Sequence, residues 1–118
     1  MPKQDKTAAD LQAVLEKIDS WPEPYKSIGE RLHGTIVEAG PKMAPRIWYG
    51  MPGYAAARSK PVLVFFRLDD GVMSLGISEK ATVEQEADST LRPSAWFLDD
   101  IDEATLTKVA SLVRTAFS

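Results

Sequence analysis

Val62-Leu63-Val64-Phe65-Phe66-Arg67-Leu68-Asp69-Asp70-Gly71-Val72-Met73-Ser74-Leu75-Gly76-Ile77 is the stretch on which the fold turns. A β-branched and aromatic run, Val62 to Leu68, meets Asp70-Gly71, a dipeptide suited to a two-residue type I′ hairpin loop. With that loop, Asp69 faces Val72, and Leu68–Met73, Phe66–Leu75 and Val64–Ile77 pair on one face. All six are apolar, so this face is expected to line the core. The other face pairs Arg67–Ser74, Phe65–Gly76 and Leu63–Ser78, a mixed set that suits a less covered side. A one-residue slip destroys the sorting, and Phe65 is expected to cover the bare Gly76.

Working outward, Leu11, Val14, Leu15 and Ile18 recur at helical spacing, with Thr7 as the expected N-cap. Residues 1–6 read as a short flexible tail, and residues 7–118 as a single domain. Trp21-Pro22-Glu23-Pro24 breaks the first helix, and Pro24 can open a second from its first turn. Tyr25, Ile28, Leu32, Ile36 and Ala39 stripe that second helix, which Gly40-Pro41 ends. Arg46 to Tyr49 reads as a strand between Pro45 and Gly50, followed by a turn or bend at Met51-Pro52-Gly53-Tyr54. Ser78 to Arg92 is polar and acidic and reads as loop, and Ser94 to Leu98 as a last strand. Asp102 is the expected N-cap of the final helix, with Ile101 and Leu106 as a hydrophobic staple. Leu106, Val109, Ala110, Val113 and Phe117 form its stripe. Segregated helices and an antiparallel sheet imply an α+β two-layer sandwich: about five strands, two N-terminal helices and one C-terminal helix.

The composition fits one globular domain: 118 residues, 44% hydrophobic and 26% charged. Cysteine is absent, which excludes disulfides, thiolate zinc sites, iron–sulfur clusters and cysteine nucleophiles. No stretch approaches the roughly 20 apolar residues of a membrane span, and Met1 to Lys6 lacks the apolar core of a signal peptide. A cytoplasmic location with no membrane partner is expected. The net charge of −3 disfavours nucleic acid as a partner. The charges are uneven: Lys42, Arg46, Arg58, Lys60 and Arg67 fall between Ala39 and Leu68 without an acid, whereas ten acids fall between Asp69 and Glu103. They read either as solvated loops or as a basic patch for an anionic ligand beside an acidic rim.

No catalytic motif is visible, and the chain is expected not to be an enzyme. His33, the single histidine, reads as a helix-surface residue, because no elbow serine or paired metal histidine accompanies it. Gly50-Met51-Pro52-Gly53 lacks the Lys-Ser/Thr of a phosphate loop. Asp99, Asp100, Asp102 and Glu103 crowd the start of the last helix, where the helix dipole favours acids. Glu79, Glu84, Glu86 and Asp88 read as a solvated acidic loop. Pro45 to Tyr54 holds three aromatics, two glycines and two prolines in ten residues. It reads either as a kink with aromatics packed on the sheet, or as a rigid groove wall with Arg46 beside flat aromatic surface.

Trp48-Tyr49-Gly50-Met51-Pro52-Gly53-Tyr54 resembles the Tyr-Gly-Met-Pro-x-Tyr signature of the YdhG-like family, a bacterial domain family of unknown function. Val62 to Phe66, Leu75-Gly76-Ile77-Ser78 and Pro93-Ser94-Ala95-Trp96 are similar to its later blocks, so the resemblance runs from about Leu11 to the C-terminus. It implies a compact α+β fold. Some relatives are described as frataxin-like iron chaperones, but the central motif carries no carboxylate or histidine, so iron would have to use acids elsewhere.

The sequence therefore leads to a non-catalytic binding module for a small molecule or protein. Its ligand-binding residues are Arg46, Trp48, Tyr49, Met51 and Tyr54, with Gly50 and Gly53 shaping the backbone. The alternative is a ferrous-iron carrier using Asp99, Asp100, Asp102 and Glu103. A homodimer formed through Leu63 and Phe65 is a third reading.

Overall fold

A computed structural model of the chain describes residues 3–118 apart from positions 41, 84 and 86. Three helices lie on one side of a five-stranded antiparallel sheet: α1 (Lys3–Asp19), α2 (Tyr25–Ala39), β1 (Ala44–Trp48), β2 (Met51–Ala55), β3 (Val62–Asp69), β4 (Val72–Ile77), β5 (Ala95–Leu98) and α3 (Glu103–Ala116). The strands follow chain order across the sheet. This is the expected α+β two-layer sandwich.

The β3–β4 register is the one that Asp70-Gly71 implies. Val64 faces Ile77, Phe66 faces Leu75, Leu68 faces Met73 and Asp69 faces Val72. Asp70 and Gly71 both have positive φ, 52° and 77°, as a type I′ turn requires. Val64, Phe66, Met73, Leu75 and Ile77 are buried, and Leu68 packs against the same cluster. From the helical layer come Val14, Ile18, Ile28, Leu32, Ile36, Val109 and Val113. Phe66 is fully buried, stacked on Tyr54 at 6.0 Å and edge-on to Trp21 at 5.9 Å. Tyr25 donates its hydroxyl hydrogen to the Gly71 carbonyl at 3.0 Å, tying the start of α2 to the turn.

Two local expectations change. Helix α1 begins at Lys3, so Thr7 lies inside it rather than capping it, and residues 3–6 are helical rather than a tail. Met51-Pro52-Gly53-Tyr54 is a strand, not a turn: the reversal is at Tyr49-Gly50, whose positive φ values of 51° and 78° repeat the Asp70-Gly71 geometry. Pro52 is tolerated because β2 pairs with β3 only from Gly53 onward. A register shift follows between Tyr54 and Ala55. Met1, Pro2, Pro41, Glu84 and Glu86, expected in the tail, at the helix end and in the acidic loop, lie outside the described residues.

Asp102 caps α3 as expected, accepting a hydrogen bond from the Thr105 N–H at 2.8 Å. That bond holds its carboxyl below the usual aspartate range. Ile101 is buried, and Leu106 packs against the same core. No helix among the described residues is long and apolar enough to cross a membrane.

Phe66→Ala should destabilise the chain by about 3–5 kcal/mol, because it empties the centre of the core. Phe65→Ala, on the uncovered face of the same strand, should cost clearly less. Urea unfolding of the two variants checks the assignment of faces.

Candidate binding face

The face of the sheet away from the helices is built by strand alternation. Cross-strand pairing lines up Arg46, Gly53, Phe65, Gly76 and Ala95 in one row over β1 to β5. Beside it run Trp48 and Met51 on one hairpin, then Arg67, Ser74 and Phe97. Gly76 is a seat for an aromatic ring, and Gly53 leaves room for the Trp48 Cβ and the Val62 methyls. A Cβ on Gly76 would meet the Phe65 ring at 2.6 Å, and one on Gly53 would meet the Trp48 Cβ at 3.0 Å. Either side chain would lift its neighbour off the sheet. Trp48 and Phe65 lie with ring centroids 5.0 Å apart, and Tyr49 is edge-on to Trp48 at 4.8 Å.

Tyr49 is 84% exposed and occupies left-handed backbone. A bulky residue there costs roughly 1 kcal/mol relative to glycine, and the edge-on Trp48 contact offsets part of that. Arg46 donates from Nη1 to the Arg58 carbonyl at 2.9 Å, while Arg58 pairs with Asp10 at 2.7 Å. Arg46 is thereby braced along the sheet, and Arg67 has no ion-pair partner among the described residues. The acids of this face, Asp69 and Asp99, follow Arg67 and Phe97 at the strand ends. Flat ring surface between two guanidinium groups can stack a planar group and hold a negative charge beside it.

Of the residues expected to bind a ligand, Arg46, Trp48 and Met51 are half-buried on this face, and Tyr49 and Gly50 form the exposed turn at its corner. Gly53 belongs to the face but lies buried beneath Trp48, so it shapes the surface without touching a ligand. Tyr54 is removed from the site. It points to the other side of the sheet, is 0% exposed and stacks on Phe66. Phe65 and Arg67 join the face. Their signal was the hairpin register, which already placed both opposite the core.

His33 is not a surface histidine: it is half-buried, with Nδ1 2.8 Å from the Tyr54 hydroxyl. Burial lowers the His33 pKa and raises that of Tyr54, so both are neutral partners near pH 7. Glu16, Asp19 and Glu30 line the same cleft between α1 and α2, without outweighing the burial. Of the four acids near α3, Asp102 caps the helix, Glu103 pairs with Arg31 at 3.1 Å, and Asp100 accepts the Ile101 N–H at 2.7 Å. Among the described residues, no group of three or more histidine, cysteine or acidic side chains is placed to hold a metal ion.

Comparisons with protein-family models, with curated proteins and with solved structures found no match.

Because the folded chain disfavours imidazolium at His33, the unfolded chain takes up that proton more readily. The His33 contribution to stability should be complete above the ordinary histidine value of about 6.5 and decline as the pH falls below it. Urea midpoints measured across this window check it, and His33→Gln should flatten the decline.

Proposed function

We propose that the chain is a YdhG-like, non-catalytic binding module whose ligand stacks on the uncovered face of its sheet. The ligand is a planar, apolar group bearing negative charge, presented by a small molecule or a protein. The observation that carries this reading is the aromatic surface of this face: the Phe65 ring over Gly76 with Trp48 packed beside it, and Arg46 and Arg67 on the same face. Tyr49 stays exposed at a turn position that asparagine or glycine fills at lower cost, and its edge-on contact with Trp48 offsets only part of that cost. Membership of the YdhG-like family and a place in the bacterial cytoplasm belong to the same proposal, resting on the Trp48–Tyr54 motif and the cysteine-free sequence.

Backbone NMR with naphthalene carboxylate and naphthalene sulfonate as probes tests this reading. Saturable shifts should centre on residues 46–51, 65 and 67. Trp48→Ala and Arg67→Glu should each weaken binding about tenfold, the effect of losing one stacking surface or one charge-assisted contact. Shifts absent from this face, or unchanged in both variants, would defeat the proposal. Tyr49→Asn should weaken binding while leaving the urea midpoint equal or higher, which separates the tyrosine's service to the ligand from any service to the fold.

A further inference from the structure

Helix α3 leans on α2 and reaches the sheet only lightly at β3, so a gap opens over the β4–β5 end. The register sets its floor: Leu75 faces Trp96 and Met73 faces Leu98, so both β5 residues turn toward the helix side. Lys108, Val109 and Leu112, neighbours on one face of α3, stand across from them. The result is a cleft of about 360 Å³ lined by Leu75, Trp96, Leu98, Val109 and Leu112, with the exposed Lys108 in its wall. A second cleft of about 240 Å³ shares Trp96, Lys108 and Leu112 and continues toward the end of α3. The loop after β4 closes it: Ala81 is buried, and the Thr82 N–H donates to the Ala116 carbonyl at 3.4 Å, which brings Val83 to its wall. The two clefts differ in chemistry. The first is mainly apolar, whereas Thr82, Ser111 and Thr115 bring hydroxyls to the second. Lys108 is the charged residue common to both, and among the described residues it has no ion-pair partner and no acid lines either cleft.

We infer that these joined clefts bind an unbranched aliphatic carboxylate, a fatty acid of medium chain length. The tail lies in the larger cleft between Trp96 and Leu112, and the carboxylate pairs with the Lys108 ammonium on the side of the hydroxyls. Charge decides the head. In a chain of net charge −3, an unpaired lysine in a wall without described acids selects an anion. Shape decides the tail. The α3 residues lining the two clefts run from Thr105 to Thr115, about 15 Å of helix, so the groove is long rather than round. Volume decides the length. The larger cleft is near the lower end of the roughly 300–1,000 Å³ that small ligands occupy, which suits one chain of medium length and not the two tails of a membrane lipid. Trp96 and Leu98 face the helix side, opposite to Phe65 and Arg67, so this site does not depend on the ligand proposed for the uncovered face.

Backbone NMR of the full chain, titrated with octanoate and decanoate below their micellar concentrations, tests the site. Saturable shifts should centre on residues 96, 108 and 112. Decanoate should bind about tenfold tighter than octanoate, because two more methylenes leave water. Lys108→Glu should weaken decanoate binding about tenfold and leave decanol binding and circular dichroism unchanged, since this exposed lysine serves the carboxylate and not the fold. Lys60→Glu, the same charge change in the loop between β2 and β3, should leave decanoate binding unchanged, and so should Arg67→Glu on the uncovered face. The inference is overturned by an absence of saturable binding, by shifts confined to the uncovered face, by equal affinity for the two chain lengths, or by a Lys108→Glu variant that binds decanoate as before.

Discussion

The two-residue turn at Asp70-Gly71 is the constraint from which the rest of the structure follows. Its positive φ values bring β4 back on β3 with no freedom of offset. Strand alternation then puts Val64, Phe66, Leu68, Met73, Leu75 and Ile77 on the helix side and leaves Phe65 and Arg67 on the other. A slip by one residue would bury Arg67 and expose Phe66. The Tyr25 hydroxyl on the Gly71 carbonyl carries the same constraint into the helical layer.

The first hairpin repeats this geometry with a different intent. Tyr49 stands where Asp70 stands in the second, in left-handed backbone with its ring in solvent. Hydrogen bonding of the asparagine or aspartate kind eases that conformation; a phenol ring has no such means. The sheet beneath is adapted to rings, since Gly53 and Gly76 remove the side chains that would hold Trp48 and Phe65 away from it. Turn strain, a glycine seat and paired guanidinium groups converge on one face.

The helical layer covers the sheet unevenly, and this asymmetry shapes the surfaces left over. Helix α1 lies against β1 and β2, while α3 packs chiefly on α2 and only lightly on β3. The space between α3 and β5 is left as apolar clefts, bordered by Trp96 and Leu112. Edge strand β5 is therefore thinly covered on both faces, whereas β1 has α1 beside it and Pro45 along its rim.

What could be read from the sequence was whatever short-range chemistry encodes. The Asp-Gly loop, the Asp102 cap and the apolar stripes of α2 and α3 act over a few residues, so local spacing identified them, and with them the α+β sandwich. Part of the candidate face was legible for the same reason, because the turn assigned Phe65 and Arg67 to the uncovered side. Pro52 and Gly53 misled, since both favour turns; only their cross-strand neighbours show that Pro52 precedes the β2–β3 ladder and that Gly53 makes room for Trp48. Tyr54 sits in the same motif as Trp48, yet alternation sends its ring into the core, toward a histidine 21 residues away. The face of Phe97 likewise depends on β4, across a long loop that sets no offset. Contacts between distant segments decide which side a strand residue takes, and tertiary structure alone supplies them.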